Sequence, residues 1–180
     1  RSIFPQYASE VFYLDSNSAF LSFIAAFGLA KAFTNYFTGK FANDFGRKNL
    51  LILGWILALP VPFLLIFASS WSIVVVANIL LGISQGLTWG STVIMKIDLV
   101  GEKERGLAMG MNEFAGYLSL GISAYFSAIL AENFGITPYP FFIGIAASII
   151  GLLLSVILVK DTKHFVYQES QTSIQKKIKG

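Results

Sequence analysis

The chain has 180 residues, of which 55% are hydrophobic and 13% are charged, and the charged share is about half that of an average soluble domain. This composition excludes a disordered chain, because disorder requires low hydrophobicity and high charge. The absence of Cys excludes a disulfide scaffold and a thiolate metal site. We therefore expect an integral protein of the lipid bilayer, with no metal and no cofactor, and with room for about five or six spanning helices.

Five long apolar runs follow one another along the chain, and each is close to the length that crosses a bilayer as a helix. They are too long and too continuous for the alternating strands of a membrane barrel. The sequence therefore predicts an all-α transmembrane helical bundle within residues 19–159. The predicted spans are residues 19–38, 50–67, 73–95, 107–130 and 141–159.

The basic residues indicate how the bundle is oriented. Eleven of the thirteen Lys and Arg residues lie in the loop 39–49, the loop 96–106 and the tail 160–180. Positive charge is retained on the cytoplasmic side of a membrane. We therefore predict a multi-pass plasma-membrane protein with its N-terminus outside and its C-terminus in the cytoplasm. Because the basic residues flank spans, the net charge of +3 does not indicate nucleic-acid binding.

The first two spans differ in polarity. In the first, Lys31, Asn35 and Thr38 share one helix face at spacings of four and three residues. Lys31 either has a coupling or gating role, with Asn35 beside it, or reaches the interface by snorkelling. In the second span, Pro60 and Pro62 predict a kink.

The third and fourth spans carry polar stripes. The third places five residues on nearly one face, and glycines at positions 82, 86 and 90 predict close helix packing beside it. The stripe of the third span is Asn78, Gln85, Trp89, Thr92 and Lys96. The stripe of the fourth is Asn112, Gly116, Ser119 and Ser123, flanked by Glu113 and Tyr117. Glu113 could pair with Lys31, bind a group near the interface, or carry a proton.

Residues 82–86 also match G-x-S-x-G, the nucleophile elbow of many serine hydrolases. The elbow requires a strand-to-helix turn, whereas these residues lie within a predicted spanning helix. The single His of the chain, His164, lies in the tail beyond the last span. We therefore expect that the protein is not an enzyme.

The loop between the first two spans carries the sharpest motif, which reads Gly39-Lys40-Phe41-Ala42-Asn43-Asp44-Phe45-Gly46-Arg47-Lys48. It resembles the signature loop G-x-x-x-D-[RK]-x-G-R-[RK] of the major facilitator superfamily, which joins that family's second and third helices. Both glycines and the basic pair match. Asn43 occupies the family's Asp position and Asp44 its basic position, so the family's gating ion pair is not transferred directly.

The resemblance implies a fold and a mechanism. The five spans would be family helices two to six, with residues 1–18 as the outer end of a truncated first helix and its loop. Residues 160–180 would be a cytoplasmic tail or the linker to a missing C-terminal half. The family transports small molecules by alternating access of two halves around a central site. The N-terminus lacks an initiator Met, which agrees with a fragment.

The resemblance also implies site residues for this chain. We expect five residues to line the substrate pathway, namely Asn78, Gln85, Trp89, Asn112 and Ser119. Lys31, Asn35 and Glu113 are expected to serve coupling or gating. The cytoplasmic gate would comprise Gly39, Asn43, Asp44, Gly46, Arg47, Lys48 and Arg105.

The sequence leaves several functional questions open. The substrate, the choice between symport, antiport and uniport, and a role for protons are not determined by these residues. The alternative to a transporter is a half-size membrane protein that dimerises and acts as a scaffold or assembly partner.

Overall fold

The structure is a computed structural model that describes residues 3–14, 17–163 and 165, with side chains described except at 17–20 and 101–103. Within these residues every regular element is an α-helix, as the apolar runs predicted. Six helices follow in chain order: α1 (Phe4–Phe12), α2 (Asn17–Phe45), α3 (Arg47–Ala58), α4 (Pro60–Ile66), α5 (Trp71–Phe134) and α6 (Tyr139–Ile157).

Helix α5 has 64 residues and reverses its direction near its middle. In a straight helix Lys96 and Asn112 would be about 24 Å apart, yet Nζ of Lys96 lies 2.6 Å from Oδ1 of Asn112. The helix therefore forms two antiparallel arms, Trp71–Val100 and Glu104–Phe134. Residues 96–106, which were expected to form a loop, are instead helical, although the chain reverses its direction in this region.

Four helical stretches of the described chain are long and apolar enough to cross a membrane. They are Arg47–Ile66, Trp71–Val100, Glu104–Phe134 and Tyr139–Ile157. The first predicted span, 19–38, lies within α2, which has 29 residues but is not among these four. Lys31, Thr34 and Asn35 interrupt the apolar run of α2, and the assignment of residues 19–38 as a fifth span stays a prediction.

The connection between α2 and α3 is much shorter than the expected loop 39–49. Helix α2 continues to Phe45, and α3 begins at Arg47, so that Gly46 alone separates them. Gly46 has φ of 83°, a backbone conformation that is strained for any residue with a Cβ. One residue with positive φ is sufficient to turn the chain, which explains why the flanking positions remain helical.

The helical run that follows is interrupted at Leu59, as the two prolines predicted. Helix α3 ends at Ala58 and α4 begins at Pro60. Pro60 and Pro62 have no backbone N–H, so they cannot donate to the preceding turn. The interruption divides the stretch Arg47–Ile66 into two helices without reversing it.

A glycine seam joins α2 to the first arm of α5. A Cβ at Gly82 would lie 2.9 Å from Cβ of Ala30, and one at Gly86 would lie 2.5 Å from Cβ of Thr34. Gly90 faces Thr38 in the same way, with Cγ2 at 2.8 Å. Both helices advance by four residues in the same direction, so they run parallel and in close contact. The prediction of close packing at these glycines is confirmed.

Aromatic and aliphatic side chains form the core at the end of the bundle near α1. Tyr7 is 1% exposed and packs edge to face with Phe141 of α6, at 5.4 Å between ring centroids. Phe4 stacks on Phe23 of α2 at 4.9 Å. In contrast, the most apolar stretch of the second α5 arm buries none of its residues. This arm therefore contacts the rest of the chain along a narrow strip only.

Candidate functional site

The polar residues of α2 face the first arm of α5. Nζ of Lys31 donates to Oε1 of Gln85 at 3.4 Å. The same ammonium lies 5.4 Å from the ring centroid of Trp89 and 5.9 Å from that of Phe27. Both rings are within the distance at which a cation is attracted to an aromatic face. Lys31, Gln85 and Trp89, expected from the sequence as site residues, are thus brought together.

Trp89 also contacts the second arm of α5. A Cβ at Gly116 would overlap Cη2 of Trp89, so the glycine provides the space that the indole occupies. The ring is therefore held between α2 and both arms of α5. Because Gly116 has no side chain, the two arms approach closely where Lys31, Gln85 and Trp89 meet.

A second polar pair bridges the two α5 arms nearer their connection. Nζ of Lys96 donates to Oδ1 of Asn112 at 2.6 Å. Asn112 is 4% exposed, and among the described contacts its Nδ2 is buried without a hydrogen-bond partner. A buried donor without a partner is unfavourable unless it serves a ligand or another polar group. Lys96 lay in the polar stripe predicted for the third span.

The remaining predicted pathway and coupling residues are more dispersed. Nδ2 of Asn78 donates to the carbonyl of Val74 in its own helix at 2.8 Å. Ser119 is exposed and donates to the carbonyl of Gly116 in its own helix. Asn35 lies on the α2 face toward Gly90, and its Oδ1 is buried without a partner in the described structure. Glu113 forms none of the described hydrogen bonds or ion pairs, and Lys31 contacts Gln85.

Ser84, the central residue of the G-x-S-x-G match, is 3% exposed and lies inside the first arm of α5. Its carbonyl accepts a hydrogen bond from Thr88 in the next turn. The segment therefore lacks the strand-to-helix turn that a nucleophile elbow requires. His164 lies outside the described residues.

A second cluster lies just beyond the C-terminal end of α2, around Arg47. Nε of Arg47 and Oδ2 of Asp98 form an ion pair at 3.0 Å, and both side chains are at least nine-tenths buried. Thr162 donates to the same carboxylate oxygen at 2.7 Å. Nη1 of Arg47 also donates to the carbonyl of Ala42 at 3.1 Å, which satisfies an acceptor near the C-terminus of α2.

Asp161 completes this cluster from the far end of the chain. Its Oδ2 accepts from the backbone N–H of Lys48 at 3.0 Å, and its Oδ1 accepts from that of Lys163 at 2.8 Å. Lys48 lies in the first turn of α3, whose own preceding residue, Gly46, has no side chain to cap it. Asp161 therefore acts as the N-terminal cap of α3. We call Arg47, Asp98, Asp161 and Thr162 the Arg47 cluster.

The predicted gate residues divide into two groups. Gly46, Arg47 and Lys48 belong to the turn around which the cluster is built. Asn43, Asp44 and Arg105 are exposed. A Cβ added at Gly39 would have no atom within 4 Å, so Gly39 lies in open space. The sequence analysis missed Asp98, Asp161 and Thr162 as members of this cluster. For Asp98, the available signal was an acidic residue shortly after a predicted span, among the basic residues of the loop 96–106.

This fold is a polytopic helical bundle with polar groups enclosed among otherwise apolar helices, which is the architecture of a multi-pass membrane protein. The chain belongs to the Major Facilitator Superfamily, whose family profile matches residues 2–176. The family expected from the loop 39–48 is thereby confirmed.

The curated relatives are bacterial proteins. Multidrug resistance protein 2 of Bacillus subtilis is 29% identical over 144 residues, covering 77% of this chain and 34% of that protein. The proton-coupled antiporter flippase LtaA of Staphylococcus haemolyticus is 31% identical over 105 residues, covering 58% and 25%. The chain therefore spans about a third or less of the length of these relatives.

A solved structure shows the same fold. The inward-open xylose transporter XylE from E. coli superposes with a TM-score of 0.65 and 19% sequence identity. The match covers 91% of this chain and 42% of XylE. At this identity the likeness concerns the fold alone.

Proposed function

We propose that this chain forms the N-terminal half of a secondary-active transporter that moves a small molecule by alternating access. Family membership supports this proposal, and so does the coverage of about two fifths of the XylE chain. The observation that carries it is the polar contact of Lys31 with Gln85 between α2 and α5. Polar groups at such depth are costly and mark solute pathways.

Within this proposal the pathway residues are Asn78, Gln85, Trp89, Asn112 and Ser119. Lys31, Asn35 and Glu113 would serve coupling or gating. LtaA, one of the relatives, is named a proton-coupled antiporter. A proton would then be the coupling ion, as the name of LtaA states for that protein, and Glu113 in the second α5 arm would carry it.

We also propose a location and an orientation. The protein would lie in the plasma membrane, with the N-terminus of α1 outside and the tail after α6 in the cytoplasm. The support is the excess of Lys and Arg at the end that contains the α2–α3 turn. The Arg47 cluster would then lie at the cytoplasmic gate, together with Gly39, Asn43, Asp44 and Arg105.

Transport by reconstituted protein tests the proposed function. Residues 1–180 alone and the complete reading frame that contains them would be placed in proteoliposomes, and uptake of a fluorescent drug-like solute would be followed under an imposed proton gradient. We expect saturable uptake by the complete reading frame and none by residues 1–180, because half of the pathway is absent.

Saturable uptake by residues 1–180 alone would contradict the assignment of this chain as one half of the transporter. A stable dimer of residues 1–180, combined with no uptake by the complete reading frame, would favour a scaffold instead.

A further inference from the structure

Three lysines lie around one carboxylate at the end of the bundle where α3 begins and α6 ends. Oδ2 of Asp161 accepts from the backbone N–H of Lys48 at 3.0 Å, and Oδ1 accepts from that of Lys163 at 2.8 Å. Lys160 directly precedes Asp161 in the chain. The three lysine side chains therefore start from one small region of the surface, although Lys48 comes from a distant part of the sequence.

The ammonium groups of these lysines have only uncharged partners among the described contacts. Nζ of Lys48 donates to the carbonyl of Val156 at 2.9 Å, and Nζ of Lys163 donates to the carbonyl of Asp44 at 3.5 Å. Lys160 is exposed and forms none of the described hydrogen bonds or ion pairs. A hydrogen bond to a charged acceptor is roughly twice as strong as one to a neutral acceptor. An anion would therefore be a better partner for these groups than the carbonyls are.

The neighbouring carboxylates leave this region with positive charge. The carboxylate of Asp161 accepts from backbone N–H groups at the start of α3, where the helix dipole already supplies partial positive charge. The carboxylate of Asp44 is exposed and forms none of the described hydrogen bonds or ion pairs. Three ammonium groups thus face two carboxylates, and the balance of charge favours an anionic partner.

An apolar surface lies next to the lysines. The end of α6 exposes Leu154, Ile157 and Leu158, whose exposed fractions are 50%, 72% and 68%. Helix α6 is long and apolar enough to cross a membrane, so its end lies where the hydrocarbon core meets the lipid headgroups. At such a boundary, apolar side chains contact acyl chains and lysines extend toward the headgroups.

We propose that Lys48, Lys160 and Lys163 bind the phosphate of an anionic phospholipid, whose acyl chains pack on the exposed end of α6. The bilayer is the source of this phosphate, because a free phosphate ion would make no use of the apolar surface. The bound lipid would also hold the segment after α6 against the α2–α3 turn, since Lys48 and Lys163 lie on either side of Asp161. This inference goes beyond the proposed function, because it requires a membrane and does not require transport.

Lipid binding by the complete reading frame tests the inference. The protein would be purified in a neutral detergent and titrated with phosphatidylglycerol or with phosphatidylcholine of the same acyl chains, and the bound lipids would be counted by native mass spectrometry. We expect phosphatidylglycerol to bind about 10- to 100-fold more tightly, because three lysines attract a headgroup with a net negative charge. It should also raise the unfolding temperature, as a ligand of the folded state does. Equal binding of the two lipids would overturn the proposal.

Lysine variants locate the site. Lys160→Gln and Lys163→Gln should each weaken phosphatidylglycerol binding about 5-fold, the effect of one Lys near an anionic headgroup. Lys160→Arg should retain the affinity, because it preserves the charge. Lys40→Gln is the matched control for Lys160→Gln, since Lys40 is an exposed residue of α2 and its removal changes the net charge equally. Equal losses in Lys40→Gln and Lys160→Gln would overturn the proposed site. Thermal unfolding without added lipid would show that each variant is folded.

Inorganic phosphate distinguishes a lipid from a soluble anion at these lysines. At constant ionic strength, millimolar phosphate should not displace phosphatidylglycerol, because it lacks the acyl chains that contact the end of α6. Displacement by phosphate would assign the lysines to a soluble anion and would overturn the assignment to a lipid.

Discussion

Individual glycines determine how closely α2 approaches α5. At Gly86 a Cβ would lie 2.5 Å from Cβ of Thr34, and Cβ belongs to the rigid part of a side chain. We predict that Gly86→Ala destabilises the chain by about 1–3 kcal/mol, the usual cost of overpacking, despite the higher helix propensity of Ala. Thermal unfolding in detergent, followed by circular dichroism, measures the effect.

Gly28 provides the control for that substitution, because it lies in α2 and a Cβ there would have no atom within 4 Å. Gly28→Ala should stabilise the helix by up to about 1 kcal/mol through propensity alone. If both variants shifted the unfolding temperature in the same direction, the result would contradict the close contact of the two helices at Gly86.

Asp98 is the residue on which the Arg47 cluster depends. It accepts from Arg47 and from Thr162, and it is 9% exposed. Asp98→Asn removes the charge that compensates a buried guanidinium, and breaking such a pair costs about 3–5 kcal/mol. Asp44→Asn is the matched control, since Asp44 is exposed and its carboxylate forms none of the described hydrogen bonds. Chemical denaturation in detergent should therefore show a large loss of stability for Asp98→Asn and almost none for Asp44→Asn.

At the scale of elements, the α2–α3 turn depends on a residue that follows α6. A Cβ at Gly46 would lie 2.6 Å from Oδ2 of Asp161, and Gly46 has φ of 83°. We predict that Gly46→Ala costs at least about 1–3 kcal/mol from backbone strain, with a further cost from the contact. Asp161→Ala should cost about 0.5–2 kcal/mol through loss of the α3 cap.

The double variant of Gly46 and Asp161 tests whether these costs are coupled. It should lose less stability than the sum of the two single variants, because the clash is absent once Asp161 is shortened. Thermal unfolding of the four proteins gives the interaction energy. Additive losses would show that Asp161 does not contact the turn.

The sequence predicted helices well where a periodic pattern was present. The glycines at 82, 86 and 90 predicted a close-packed face, and Pro60 and Pro62 predicted an interruption, because both signals are local. The loops 39–49 and 96–106 were expected from charge. The helical backbone extends into both of them, since a charged residue breaks a helix far less than Gly or Pro does.

The long-range contacts of the site could not be predicted in the same way. Lys31 and Gln85 are 54 residues apart, and Lys48 and Asp161 are 113 residues apart. No local pattern links such pairs. The polar stripes predicted which faces are polar, but the partner of Lys31 depends on the register of α2 against α5, which the glycine seam determines.

At the scale of the whole molecule, the second arm of α5 is the least buried of the four stretches that could cross a membrane. Its most apolar stretch buries none of its residues, whereas 39% of the corresponding stretch of the first arm is buried. In a bilayer the exposed apolar residues contact lipid, and in a complete transporter they are available to the other half. Under the proposed function, this arm would therefore face lipid or the other half of the transporter.

The orientation of the molecule can be tested directly, because the chain has no Cys and a single introduced thiol is therefore unique. Ser69→Cys lies between α4 and α5, and Asp44→Cys lies beside the α2–α3 turn, and both positions are exposed. We predict that a membrane-impermeant maleimide labels Ser69→Cys in intact cells and labels Asp44→Cys only after permeabilisation, because the basic residues retain the turn in the cytoplasm. The reverse pattern would place the Arg47 cluster outside the cell and would contradict its proposed role as a cytoplasmic gate.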